Sequence, residues 1–424
     1  MCIKFAFRRN LIYPMQYIFW GFVREIISMI IYNKIEFRNP YIYLPTMFCG
    51  EFFAGVIVYL YEKRVMKSMK KEKEERGENA EKYFMSIKLI ENEKEQEDDY
   101  FTPLDSKIKI IFLIFLSALF DAVQFLLSHI VIPHYELLSI SFCPRLYGLS
   151  TIFAALFCVH VLNLPVFRHH KVCLSIIGFC LIAVVGTEYY FMKSNSFLSY
   201  SYLHTGLGYT IISQILIAWK DTLEKYLFEY DFMDPFVVLM YEGIIGYLLS
   251  FFSLFYRNYF KDLKIYYYES NNTLLIKLGV CLTSYMISSG GKNLFRVVTN
   301  KIYSPMTKTL SDYFLNPIYL LYFCGACDDF KNDGVFFGWQ FPVNFVIAVI
   351  ISFFGCVYNE IIILFFCGLE RDTHDQISIR STAMDELTEL VKYNNDDDED
   401  EEEEEESENS SNFSTKKKLK KNSV

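Results

Sequence analysis

The sequence is poor in charge and lacks the short motifs by which common enzyme classes are recognised. Only 21% of its 424 residues are Asp, Glu, Lys or Arg, whereas 52% are hydrophobic and 18% are aromatic. This composition leaves too little polar surface to cover a soluble globule. HExxH, GxSxG, P-loop and glycine-rich dinucleotide motifs are all missing from the chain. We therefore expect a membrane protein that is not an enzyme and uses no cofactor.

Histidine and cysteine do not form the patterns of a metal site. The 7 histidines have no metal-ligand spacing on one helix, and Cys324-Gly-Ala-Cys327 has no second cysteine or histidine pair to complete four ligands. Most of the 11 cysteines lie inside apolar runs, where they serve as small hydrophobic residues and not as a disulfide framework. We expect no bound metal.

Long apolar runs occur along most of the chain, and each is long enough to cross a bilayer as a helix. The first run contains Arg24 and Glu25, and no small-residue cleavage pattern accompanies it, so we interpret it as a retained helix. The sequence thus predicts an all-α membrane protein with about ten transmembrane helices. The runs lie near residues 11–32, 41–61, 108–132, 137–163, 171–192, 205–227, 235–256, 273–291, 305–325 and 341–367.

Two charged segments divide these runs into blocks. Residues 396–408 hold 12 acids and no base, so the acids of the tail account for the negative formal net charge of −9. Such blocks cannot bury enough apolar surface to fold, and we expect a mostly disordered tail that is a candidate for binding basic proteins. The predicted organisation is an N-terminal block with helices 1–2 (1–62), a charged cytosolic loop (63–107), helices 3–5 (108–192), helices 6–10 (193–369) and the tail (370–424).

The distribution of basic residues predicts the orientation of the helices in the membrane. Loops on the cytosolic side of a membrane protein are enriched in Lys and Arg. With ten spans, most of the basic loops share one side, which places both termini in the cytosol; the loop between spans seven and eight is the exception. The bases on the shared side include Lys63, Arg64, Lys67, Arg168, Lys171, Lys292, Arg296 and Lys301.

One short pattern, an acid four residues before a glycine in an apolar run, occurs twice. Glu51 precedes Gly55 in span two, and Glu242 precedes Gly246 in span seven. Ionisable groups inside apolar spans are costly and are functional by default, and their recurrence in two halves is typical of a transporter built by duplication. These acids are candidates either for handling a proton or substrate or for locking helix pairs where glycine permits close approach. Asp121 in span three is a third candidate acid.

A second repeated pattern places a cation near the start of a helix in each half. Ser141-x-x-x-Arg145 opens span four, and Ser304-x-x-x-Lys308 opens span nine. A helix start offers unpaired N–H groups and a positive dipole end, so an added cation favours an anion site. The alternative is that both cations are interfacial anchors that extend to the headgroups. Asp312, four residues after Lys308, is expected to neutralise it in part.

Several other polar residues fall inside the apolar spans. Three tyrosines beside the repeated charges suit stacking against a base, namely Tyr147, Tyr241 and Tyr313. Lys220 and Glu224 stand four residues apart and are expected to pair on one helix face. The remaining intramembrane polar residues are Gln124, Glu188, Asp221, Asn293, Asn316 and Glu360.

These residues resemble those of a known group of transporters. The similarity lies in Gly50-Glu51, Ala-Leu-Phe-Asp121, Arg145-Leu-Tyr-Gly148, Glu224-Lys225, Glu242-Gly243-x-x-Gly246 and the segment from Lys308 to Asp312. The chain resembles the drug/metabolite transporter superfamily, and within it the nucleotide-sugar-transporter-like solute carrier family thirty-five, closest to subfamily F. The resemblance covers roughly residues 11–367.

The resemblance implies a five-plus-five inverted repeat around a central cavity that opens alternately to each side. In nucleotide-sugar members cavity cations bind phosphates, and Arg145 and Lys308 are the matching positions. Spans nine and ten lack a GALNK-like signature. We therefore expect a secondary transporter of an anionic or nucleotide-like metabolite in an intracellular membrane (Golgi, endoplasmic reticulum or lysosome-like), with the lipid bilayer as its surroundings and no nucleic-acid partner. The alternative is a non-transporting membrane scaffold that recruits partners through its acidic tail.

Overall fold

The chain folds into helices along almost all of its described length. The computed structural model describes residues 3–5, 11–33, 35, 37, 40–76, 104–128, 146, 148–194, 200–256, 272–314, 340–365, 369, 373, 376 and 380. Over these residues ten α-helices are found, each at one of the ten predicted apolar runs, so the all-α class is confirmed. A 3-10 helix, Pro40–Ile42, precedes the second of them.

The helices are numbered in chain order. They are α1 Ile12–Asn33, α2 Tyr43–Arg76, α3 Leu104–Leu126, α4 Leu149–Val161, α5 Arg168–Ser194, α6 Tyr200–Glu229, α7 Pro235–Tyr256, α8 Asn272–Ile302, α9 Pro305–Tyr313 and α10 Gln340–Tyr358. Two short strands, β1 Ile3–Phe5 and β2 Ile362–Leu364, form a two-stranded sheet.

Among the described residues, four helices are long and apolar enough to cross a membrane, and they indicate a membrane protein. Their spanning parts are Tyr43–Ser68, Lys107–Leu126, Arg168–Thr187 and Asn272–Ile302. Large apolar side chains on these helices are exposed, as at Ile57, Ile111 and Phe179, which suits contact with lipid. Three further apolar helical segments are shorter: Leu149–Val161, Pro235–Phe251 and Phe345–Tyr358.

The chain divides into two compact units. The first comprises Met1–Phe5, Phe167–His169 and Ile363–Val424, and it contains nearly all of the two-stranded sheet. The second comprises Ala6–Val166 and His170–Ile362, and it contains the helix bundle described below.

Helix α2 lies against α7 at Gly55 of the repeated pattern and at Gly243, which follows Glu242. A Cβ atom added to Gly243 would lie 2.5 Å from the backbone nitrogen of Phe52, and one added to Gly55 would lie 2.9 Å from the carbonyl oxygen of Phe236. Side chains at these two positions would therefore push the helix backbones apart. Small residues allow this close approach in membrane helix pairs, and here they bring Glu51 and Glu242 into the same region of the bundle.

Helix α2 also packs against α8 at a glycine contact. A Cβ atom added to Gly290 of α8 would lie 2.6 Å from the carbonyl oxygen of Gly50. Gly50 immediately precedes Glu51, so the contact fixes this acid against α8. Helix α2 is thus held between α7 and α8 at the level of its buried carboxyl group.

The starts of α7 and α9 follow from local sequence. At α7 the backbone N–H of Phe236 donates a hydrogen bond of 2.8 Å to the Asp234 carboxylate, and Pro235 occupies the first helical position. At α9 the backbone N–H of Thr307 donates to the Ser304 hydroxyl oxygen at 3.2 Å, again with proline in the first turn. Because α9 begins at Pro305, Lys308 lies in its first turn.

The structure corrects the prediction for the bases after span eight. Lys292 and Arg296 were expected in a loop near the membrane surface, but α8 continues through Ile302 and both lie inside it. The Gly290-Gly291 pair does not end the helix, because it packs against neighbouring helices. The prediction was wrong since it treated basic residues as surface residues, whereas these two are neutralised by buried acids. Helix α2 likewise extends through Arg76, into the segment expected as a charged loop.

Candidate functional site: a buried charge cluster

Ten ionisable side chains from α2, α3, α6, α7, α8 and α9 meet inside the bundle. We call them the central charge cluster. Its acids are Glu51, Asp121, Asp221, Glu224, Glu242 and Asp312, and its bases are Lys220, Lys292, Arg296 and Lys308. Burying so many charges is costly unless acids pair with bases. The pairing therefore determines which charged groups remain available to a ligand or a proton.

Arg296 of α8 joins the helices of the second half. Its guanidinium lies 3.0 Å from the carboxylate of Glu224 on α6 and 3.1 Å from that of Glu242 on α7. Glu242 also accepts a 2.5 Å hydrogen bond from the hydroxyl of Ser117 on α3. The planar guanidinium suits two carboxylates at once. Glu242 therefore has both a cation and a hydroxyl as partners.

Lys220 of α6 pairs with Asp121 of α3 through a short hydrogen bond. Its ammonium group also lies 3.9 Å from Glu224, one turn further along the same helix. The predicted pairing of Lys220 with Glu224 is therefore confirmed, but Asp121 is the nearer partner. Asp121, one of the three acids singled out in the sequence, is thus neutralised by a cation from a different helix.

Lys308 of α9 is neutralised by two acids. Its ammonium lies 2.9 Å from the Asp221 carboxylate on α6 and 3.3 Å from that of Asp312, one turn along α9. The expectation that Asp312 neutralises Lys308 is confirmed. In this conformation the ammonium is committed to protein carboxylates, so an anion that binds at Lys308 has to compete with them.

A tyrosine and a second lysine complete the α9 end of the cluster. The hydroxyl of Tyr17 on α1 donates a 2.5 Å hydrogen bond to Asp312, and the ammonium of Lys292 lies 3.5 Å from the same carboxylate. Lys292 also lies 5.3 Å from the centre of the Tyr17 ring, where a cation is attracted by the ring face. Helix α1 thereby contributes to the site through an aromatic residue.

Glu51 of α2 has a different environment from the other acids. The side-chain amide of Asn293 on α8 donates a 2.5 Å hydrogen bond to its Oε1. Its Oε2 is buried and has no hydrogen-bond partner in the described part of the chain. No ion pair joins Glu51 to a described cation. Glu51 is 0% exposed, so water does not solvate this carboxyl group.

Four of the eight candidate site residues predicted from the sequence meet in this cluster: Glu51, Asp121, Glu242 and Lys308. Arg145 and Tyr147 lie outside the described residues. Tyr241 is 45% exposed and is not brought to the cluster, although it adjoins Glu242 in sequence. Successive residues of a helix point about 100° apart, so a tyrosine next to a buried acid faces outward.

Tyr313 is buried at the contact between α4 and α9. A Cβ atom added to Gly148 would lie 3.3 Å from the Tyr313 ring, so the glycine provides room for the aromatic side chain. The ring is 1% exposed. In this conformation Tyr313 packs between helices and offers no free face for stacking.

Sequence reasoning missed Tyr17, Ser117, Lys292 and Arg296 as members of the site or its shell. Tyr17 and Ser117 carry no charge and could not be separated from the many aromatic and small polar residues of the spans. A signal did exist for Arg296: Asn293 precedes it by three residues and was recognised as an intramembrane polar residue, so both lie on one face of a continuing helix.

The arrangement offers no metal site within the described residues, where no three His, Cys, Asp or Glu side chains are grouped to hold an ion. Cys324 and Cys327 lie outside those residues. The groups that the site offers to a ligand are six acids, four bases and the hydrogen-bond donors around them.

No protein-family model matches the chain, and no curated protein sequence is similar to it.

Proposed function

We propose that the chain is a secondary transporter that moves an anionic or nucleotide-like metabolite across a membrane by alternating access. The observation that carries the proposal is the central charge cluster, in which buried acids and bases from both halves of the chain meet. Charges of this kind inside a membrane bundle mark substrate or ion pathways. A purely structural bundle would be at least as stable with apolar residues at these positions.

The helix contacts support a five-plus-five repeat with ten transmembrane helices. In such a repeat α1 to α5 correspond to α6 to α10. Helix α1 packs on α8 and its counterpart α6 packs on α3; α2 packs on α8 and its counterpart α7 packs on α3. Helices α2 and α7, and likewise α4 and α9, pair with their own counterparts. Such a set of contacts is what a two-fold relation between halves produces.

The hydrogen bonds of the two repeated acids follow the same relation. Glu51 of α2 is bonded to Asn293 of α8, and Glu242 of α7 is bonded to Ser117 of α3. In the proposed repeat α2 corresponds to α7 and α3 corresponds to α8, so the pair α2–α8 corresponds to the pair α7–α3. This correspondence supports the proposed likeness to the drug/metabolite transporter superfamily and to solute carrier family thirty-five, subfamily F.

An anionic substrate is supported by the cation at the start of α9. Lys308 lies in the first turn of α9, where the positive end of the helix dipole favours negative charge. Asp221 and Asp312 hold its ammonium in the conformation seen here. Substrate phosphate would replace these carboxylates as the cavity opens, with Arg145 supplying the second cation. Such an exchange keeps the lysine paired throughout the cycle.

The exposed bases support a cytosolic location for both termini, and the proposed intracellular membrane rests on the family likeness alone. Lys63, Arg64 and Lys67 are exposed on the extension of α2, and Arg168 and Lys171 are exposed at the start of α5. With ten crossings the end of α2 and the start of α5 lie on the same side as the termini.

A thermal-shift screen of the purified full-length protein tests the proposal. The panel holds nucleoside monophosphates, nucleotide sugars and small organic anions, because a compound that binds the native state raises its unfolding temperature. The same compounds are then tested for uptake into proteoliposomes, with Lys308→Ala as the site variant and Lys301→Ala, an exposed lysine on α8, as the matched control. We expect uptake that the first variant reduces and the second leaves unchanged. Absence of binding and uptake across the whole panel contradicts the proposal.

Deletion of residues 370–424 separates this function from the alternative of a membrane scaffold. The acidic run at 396–408 is the sequence feature that favours recruitment of basic partners. Uptake by the shortened protein supports transport by the helical core. Loss of partner recruitment together with an inactive core supports the scaffold.

A further inference from the structure

The two repeated acids, which the sequence treats alike, have different partners in the structure. Glu242 is bonded to a cation, Arg296 at 3.1 Å, and to the hydroxyl of Ser117. Glu51 has a hydrogen bond from the neutral amide of Asn293. One of its two oxygens accepts that bond, and the other is buried without a partner in the described residues.

The charged groups that face Glu51 are already committed to other acids. They are Asp121 from α3, Lys220 from α6, Glu242 from α7 and Arg296 from α8. Lys220 is bound to Asp121, and Arg296 lies between Glu224 and Glu242. The two nearby cations are therefore balanced by closer carboxylates, and the nearby acids add negative charge around Glu51.

We propose that Glu51 is a proton-binding site, and that its carboxyl group carries a proton in the conformation seen here. A buried carboxylate that lacks both an ion-pair partner and bulk water is the costly form, whereas a neutral acid with one unpaired hydroxyl group costs much less to bury. The amide of Asn293 donates to Oε1, which is then the carbonyl oxygen, and the proton resides on Oε2. The proton is taken from water when the site is open and is returned to water when the acid ionises.

The use of this proton for coupling rests on the transport function proposed above. In that cycle Glu51 changes charge while Glu242 remains paired with Arg296, so the two acids of the repeat perform different tasks. The binding of the proton itself is a property of the protein without substrate. It can therefore be measured separately from transport.

Infrared spectroscopy of the full-length protein in bilayers of zwitterionic lipid tests the proposal, because protonated and ionised carboxyl groups absorb at different frequencies. The variants are Glu51→Gln and, as a matched control, Glu229→Gln, which changes a partly exposed acid at the end of α6. We expect the wild type at neutral pH to show a protonated-carboxyl band that Glu51→Gln removes and Glu229→Gln retains. A wild type without such a band, or a band that Glu51→Gln leaves in place, overturns the proposal.

A second variant keeps the test decisive if Glu51→Gln does not fold. Glu51→Asp retains an acid but changes the frequency of its carbonyl stretch, so the band should move; a band that keeps its wild-type frequency overturns the assignment. Nucleotide uptake is measured on the same samples. Lack of uptake with a band assigned to Glu51 contradicts the transporter and supports the proton site. Uptake with a band assigned to another acid contradicts the proton site alone.

Discussion

The ammonium of Lys308 lies 2.9 Å from the carboxylate of Asp221, and neither side chain is accessible to solvent to any large extent. The pair joins α9 to α6, and Asp312 adds a second carboxylate to the same lysine. A buried pair of this kind contributes little net stability compared with apolar residues, but loss of one partner leaves an uncompensated charge. Removal of one partner is therefore expected to lower the stability of the protein more than replacement of both partners.

Lys308→Ala should therefore destabilise the protein by about 3–5 kcal/mol, the usual cost of removing one partner of a buried ion pair. Lys301→Ala, which removes an exposed lysine, should change stability by less than about 0.5 kcal/mol. The double variant Lys308→Met with Asp221→Asn should recover part of the loss, because it leaves no charge of this pair unmatched. Chemical unfolding in detergent measures all three, and equal stability of Lys308→Ala and wild type contradicts the buried pair.

Arg296→Met should be among the most destabilising changes in the bundle, because it leaves both Glu224 and Glu242 without their guanidinium partner. The expected loss is again at least about 3 kcal/mol. Arg296→Lys should be only partly tolerated, since an ammonium cannot bind two carboxylates with the planar geometry of arginine. Thermal unfolding of the variants provides the measurement. Full stability of the lysine variant would show that the guanidinium bridge between the two carboxylates is unimportant.

Two glycines on α8 offer a matched test of helix packing. Gly290→Ala should destabilise the protein by about 1–3 kcal/mol, because the new methyl group would lie 2.6 Å from the carbonyl oxygen of Gly50. Gly279→Ala on the same helix meets nothing within 4 Å. It should be neutral or stabilise by up to about 1 kcal/mol, through the reduced freedom of the unfolded chain. Equal effects of the two substitutions on unfolding would argue against the α2–α8 contact.

Arg145→Ala should weaken the binding of an anionic nucleotide more than Lys308→Ala does. Arginine binds phosphate through two parallel hydrogen bonds, whereas Lys308 is a point charge for which two acids compete. Loss of such a contact costs about 1.5–3 kcal/mol, or about ten- to a hundredfold in affinity. Calorimetric titration with nucleoside monophosphates measures the effect. If neither variant changes affinity by more than about twofold, both residues are interfacial anchors.

The location of the termini can be tested with an epitope at the end of the tail. In sealed vesicles of known orientation, protease should remove the epitope only where the cytosolic face is exposed. Protection of the epitope in that orientation would reverse the proposed topology. An epitope inserted in the segment 257–271, which connects α7 to α8, serves as the control, because it should show the opposite pattern of protection.

The sequence was sufficient to predict the helices, because runs of apolar residues long enough for a bilayer are a strong local signal. It also identified Glu51, Glu242, Asp121 and Lys308 by their position inside such runs. It failed at Arg296, since the usual placement of arginine at helix ends outweighed the periodicity that continues α8. It could not distinguish the two repeated acids, because their partners, Asn293 and Arg296, come from distant parts of the chain and their pairing depends on tertiary packing.

Helix α8 contacts both repeated acids from positions only one turn apart. Asn293 binds Glu51 and Arg296 binds Glu242, and three residues of helix correspond to a rise of about 4.5 Å. Because the two donors belong to one rigid rod, a sliding or turning of that rod alters the surroundings of both carboxyl groups in a single event. Glu51 and Glu242, which are far apart in the sequence, are in this way mechanically linked through α8.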